Sequence, residues 1–112
     1  MLFRSRLAAS QPNAEQLVRD FLNREKRPDR ILPAIYAIGE AGRADANTIN
    51  LVGTFLGFRD DRIGMASVIT LEKVRASGMA GALERIAADP EISSDIRERA
   101  RQAANRLAPV TR

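Results

Sequence analysis

Hydrophobic positions in this chain come in short helical bursts separated by polar breaks. Leu17, Val18, Phe21 and Leu22 occupy i, i+1, i+4 and i+5, which places them on one face of a helix. The same burst returns at Leu51, Val52, Phe55 and Leu56, and more loosely at Ala82, Leu83, Ile86 and Ala87. The steps are 34 residues from Leu17 to Leu51 and 31 from Leu51 to Ala82. A helical pattern that returns at such a period predicts stacked two-helix units, because one unit alone cannot bury its apolar face.

The breaks predict where helices start and stop. Asn13 is an N-cap, Gln16 completes a capping box, and the first helix ends near Arg24. Pro28 suits the entry to a second helix over residues 30–40, with Asp29 as its cap. Pro33 falls in the first turn of that helix, while Gly39 and Gly42 weaken and then end it. A third helix is expected over residues 48–57, capped by Asp45 or Asn47, and a fourth over 62–76, capped by Asp60 or Asp61. A fifth covers 79–88. The last covers 95–108, with Ser93 or Ser94 as cap and Pro109 beyond its end. Nothing reads as a strand. One domain is therefore expected at residues 13–108, between an N-terminal extension at 1–12 and a tail at 109–112.

The second helices of the three units align at a constant offset of 33, as in Ala34, Ser67 and Ala100. So do Ala37, Thr70 and Ala103, then Ile38, Leu71 and Ala104, then Ala41, Val74 and Leu107. At about 100° per residue these positions form one narrow stripe, small enough in places for close helix approach. Four other rows are expected to face outward: Tyr36, Ile69, Gln102; Glu40, Lys73, Arg106; Pro33, Ala66, Arg99; and Leu32, Met65, Glu98. They are largely apolar in the first two units and charged in the third, as a capping repeat requires.

These features resemble HEAT-like repeats of the armadillo type. Asp89-Pro90-Glu91, Ile96-Arg97 and Ala100, Ala103, Ala104, Leu107 look like the repeat consensus. Asp61-Arg62-Ile63 and Asp29-Arg30-Ile31 are degenerate versions with the aliphatic and the Arg exchanged. The resemblance spans about residues 13–108. It implies an all-α fold, an α-solenoid of three helix–turn–helix repeats with about six helices and a short N-terminal extension. It also implies that the second helices line a concave face that binds a protein partner or, in some members, nucleic acid. Some HEAT-like proteins are DNA glycosylases or bilin lyases. Tyr36 and Glu40 are all that this chain offers the first chemistry, and they read as a surface pair.

Composition narrows the function further. There is no Cys and no His, which removes disulfides, thiolate chemistry, the commonest general base and the commonest zinc ligand. No phosphate-binding Gly-rich loop is present. We therefore expect no enzyme, no metal and no cofactor. The expected function is a protein–protein interaction or scaffolding module, a small subunit or adaptor, with Leu32, Tyr36, Met65, Ile69 and Lys73 as contact residues. The alternative for that apolar surface is burial under the N-terminal segment or neighbouring repeats. Self-association through open solenoid ends is a further expectation.

The net charge is +4, from 18 Lys plus Arg against 14 Asp plus Glu, and nearly all of the positive charge is arginine. Arg24, Lys26, Arg27, Arg30, Arg59 and Arg62 gather near the first two intra-repeat turns, so nucleic-acid binding along that edge is the alternative function. Interspersed acids point instead to caps and local ion pairs. No apolar run is long enough to span a bilayer, and no membrane partner is expected. The expected location is cytoplasmic, with organelle targeting through Arg-rich residues 1–10 as the alternative.

Overall fold

The computed structural model describes residues 12–108. Among them are α1 (Pro12–Arg24), α2 (Pro28–Ala41), α3 (Ala46–Gly53), α4 (Asp61–Lys73), α5 (Ala80–Ala88) and α6 (Ser94–Leu107). A 3-10 turn at Ser77–Met79 leads into α5, and no strand forms among the described residues. The expectations for residues 1–10, for the Asn13 side chain and for residues 109–112 fall outside the described residues.

Local signals account for many helix ends, although Ser93 stands at the cap position of α6 without a side-chain cap hydrogen bond. Asp45 caps α3 by accepting from the Thr48 N–H, and Asp60 caps α4 by accepting from the Arg62 N–H. Pro28 opens α2, but Asp29 does not cap it. Residue 27 is the cap position, an arginine with no acceptor to offer, and Asp29 lies inside the first turn, where it complements the helix dipole. Gln16 donates to Asp20 and accepts from Arg19.

Helix α3 stops four residues short of the expected residue 57. After Gly53 the amides bond three residues back: Phe55 N–H to Val52 O, Leu56 N–H to Gly53 O, and Phe58 N–H to Phe55 O. The Thr54 hydroxyl also donates to Leu51 O. These tight turns place Phe55 and Leu56 together in the core, and the Phe55 and Phe58 rings lie 5.6 Å apart.

Helix α2 packs on α4, and α4 on α6; α1 packs on α2 and α3, α3 on α4, and α5 on α6. The Cα extents are 36 × 35 × 18 Å, so the slab is two helix diameters thick at about 10 Å each. The aligned apolar bursts share a burial pattern. Val18, Val52 and Leu83 are each at most 1% exposed. Leu17, by contrast, is 43% exposed, at the margin of the face that α1 buries, about 40° from partly buried Phe21 on the helical wheel.

The stripe on the second helices is buried at every position except half-buried Ala41. Beyond the stripe, the helices differ. On α4 the buried arc runs from Ala66 through Ser67 and Leu71 to Val68, roughly 200° at about 100° per residue. On α6 it shrinks to about 100°, from Ala103 to Ala104. The hydrogen bonds assign the two sides of α4. Its Thr70 hydroxyl donates to Ile35 O of α2 at 3.1 Å, and its Glu72 receives Arg99 and Arg106 of α6. The side of α6 facing away from α4 is polar, with Arg101 and Asn105 exposed. Thr48, Ser67 and Thr70 are buried polar residues, and each hydroxyl is satisfied, by Arg19, by Ile63 O and by Ile35 O.

Candidate functional site

The first surface follows from helical spacing on two packed helices. Leu32 and Tyr36 lie one turn apart on α2; Met65, Ile69 and Lys73 lie one turn apart on α4. Position for position, Tyr36 matches Ile69 and Leu32 matches Met65. Leu32 and Met65 are partly buried against the core, Ile69 is half-buried, and Lys73 is exposed at the last residue of α4. Tyr36 is 38% exposed, and with Leu17 it is one of two large apolar side chains exposed among the described residues. On α6 the matching positions are Glu98 and Gln102, both exposed.

One row expected to face outward does not. Ala66 is fully buried, and Pro33 and Arg99 are half-buried. Residue 66 lies only about 40° beyond Thr70 on the helical wheel, so the approach of α2 covers it. Arg99, at the matching place on α6, reaches across to Glu72 of α4.

The second surface is cationic. Arg24 ends α1, Lys26 and Arg27 lie in the link, Arg30 is in the first turn of α2, and Arg59 and Arg62 flank the start of α4. All six are exposed. Two have local partners: Arg62 pairs with Asp60 at 2.8 Å, and Arg27 loosely with Glu25 at 3.4 Å. The Arg62 side chain holds the Asp60 carboxyl below the usual range, and the Arg27 N–H does the same for Glu25. Arg24, Lys26, Arg30 and Arg59 have no carboxylate partner among the described residues.

Two long-range clamps carry no sequence signal. In the first, Arg19 of α1 reaches the cap of α3: its Nη1 donates to both Asp45 oxygens and to the Thr48 hydroxyl. Glu15 closes the loop by accepting the Asp45 N–H at 3.0 Å. In the second, each Glu72 oxygen takes one arginine of α6, Arg99 or Arg106. Burial pushes the Glu72 carboxyl up, but the two guanidinium groups outweigh it and leave it lowered. The partners are 26, 27 and 34 residues apart, beyond the reach of helical periodicity.

Comparison of the chain with protein-family models, curated proteins and solved structures finds no match.

Proposed function

We propose that the chain is an α-solenoid of three HEAT-like hairpins, α1/α2, α3/α4 and α5/α6. It serves as a protein–protein interaction or scaffolding module without catalytic activity, in the cytoplasm. The repeated burial at Val18, Val52 and Leu83 supports the hairpin register, and the polar outer side of α6 suits a terminal repeat. The contact surface is Leu32, Tyr36, Met65, Ile69 and Lys73 on the outer arcs of α2 and α4.

The observation that carries this reading is Tyr36. An aromatic ring left 38% exposed beside a half-buried Ile69 is a ready anchor for a partner. The rim cation Lys73 and the adaptable Met65 fit such a contact. The double variant Tyr36→Ala, Ile69→Asp is expected to weaken partner binding by about 2 kcal/mol or more, roughly thirtyfold, with melting unchanged. Affinity capture with the parent and the variant, read by mass spectrometry, checks this. Equal recovery of the same partner by both proteins counts against the surface.

One observation favours nucleic acid as a second reading: four of the six edge cations lack a carboxylate partner among the described residues. Four phosphate contacts on a duplex predict a slope of log K against log salt of about −3 to −4. A gel-shift titration across salt measures it. No shift at low salt removes this reading.

A further inference from the structure

The end of α4 holds an arginine in a conformation that favours glycine. Arg75 has φ 56° and is the one non-glycine residue with positive φ among the described residues. Its counterpart 33 residues earlier is Gly42, with φ 77°, which closes α2 in the same way. The left-handed turn is imposed by hydrogen bonds: Arg75 N–H to Glu72 O and Ala76 N–H to Leu71 O, each 3.0 Å. Leu71 and Ala76 are buried, which anchors the turn on both sides. Any residue with a Cβ is strained there, and such strain persists where the surroundings over-determine the backbone.

The strained turn forms one wall of a cleft. Glu72, Arg75, Ser77, Arg106 and Leu107 line a space of about 410 Å³ between the C-terminal ends of α4 and α6. Glu72 is shared between Arg99 and Arg106, while Arg75 is exposed and has no ion-pair partner among the described residues. Three guanidinium groups against one carboxylate leave two positive charges. The C-terminal dipoles of α4 and α6 oppose an anion by about half a charge each, so the cleft stays positive. Arg106 spends one N–H on Glu72, and its remaining donors have no partner among the described residues. The Ser77 hydroxyl has no partner among the described residues. Guanidinium forks match phosphate geometry.

We propose that this cleft binds a phosphate monoester, held by Arg75, Arg106 and the Ser77 hydroxyl. The proposal is independent of the protein-binding reading. The source is either a phosphorylated side chain of a partner or a free phosphate compound.

Arg75→Gly separates function from folding, because it removes the cation and relieves the strain. The full chain is titrated with inorganic phosphate and with a phosphoserine peptide, at fixed ionic strength against chloride, and followed by amide NMR shifts. Parent protein is expected to give saturable millimolar shifts at residues 75–77 and 106. Arg75→Gly is expected to bind about tenfold more weakly, the loss of one charge-assisted contact, while its Tm rises by about 3 °C. Arg106→Gln, a second route to the same loss, is expected to weaken binding similarly. Tighter binding of the peptide than of phosphate assigns the ligand to a partner; equal binding assigns it to a free compound. Undiminished binding by Arg75→Gly and Arg106→Gln, or no saturable shift in the parent, overturns the site.

Discussion

Gly39→Val is expected to destabilise the protein by about 2–3 kcal/mol. Gly39 packs directly against α4. A Cβ built there meets the Thr70 Oγ1 at 3.1 Å and both the Thr70 Cα and the Lys73 Cδ at 3.4 Å. Lysine can swing away. Thr70 cannot, because its hydroxyl is committed to Ile35 O and its backbone belongs to α4. Glycine lowers the helix propensity of α2 by about 1 kcal/mol relative to alanine. A single methyl would therefore gain in propensity roughly what it loses in crowding. Valine adds two more methyl groups, and these push the helices apart or break the Thr70 bond. Gly57→Ala is the control, since nothing lies within 4 Å of its Cβ, and a change within about 0.5 kcal/mol is expected. Urea unfolding of both variants measures the difference. A Gly39→Val protein as stable as the parent would mean that α2 and α4 are not in close contact.

The second large effect is Asp45→Ala, expected to remove about 2–3 kcal/mol at pH 7. About 1 kcal/mol is the lost α3 cap, and the rest comes from leaving Arg19 without its main partner. Arg19 has a side chain only 15% exposed, so water replaces the carboxylate poorly; Asp45 is 50% exposed, which keeps the figure modest. Asp45→Asn keeps a cap acceptor and loses the charge, so about half the effect is expected.

The pH dependence has a definite direction. Burial pushes the Asp45 carboxyl up, but the Thr48 N–H and hydroxyl and the Arg19 guanidinium outweigh it and hold it below the ordinary 3.8. A lowered carboxyl contributes stability that is complete above the unfolded value and drains away as pH falls through the folded one. Glu72 acts the same way, below its ordinary 4.5. The parent is therefore expected to lose stability below about pH 4, and the Asp45→Ala penalty to shrink there. Unfolding at pH 7 and pH 3 tests it; an equal penalty at both would show that the charge contributes nothing.

The expected site residues were legible to different degrees. Tyr36, Ile69 and Lys73 could be placed on an outer arc by counting along a helix, since their exposure depends mainly on the angle from the buried stripe. Ala66 could not, because it lies at the margin of that stripe and the nearness of α2 decides its burial. The six edge cations could be located by the turns they flank. Which of them have partners depended on side-chain reach, as with Arg62 and Asp60. Arg75 gave no warning at all, since no local signal asks for a left-handed arginine.

The amino-acid sequence by itself determined the number and order of the helices, the Asp45 and Asp60 caps and the stripe that each second helix buries. These are local properties: a cap acts within one turn, and a stripe follows from helical periodicity. Tertiary structure alone decided how far burial extends around each helix, where α3 tightens and ends, and which charges are clamped. Those outcomes depend on which neighbour covers a helix flank. That neighbour lies 26 to 35 residues away in the chain, as with Arg19 and Asp45 or Ile35 and Thr70, beyond the range over which periodicity carries information.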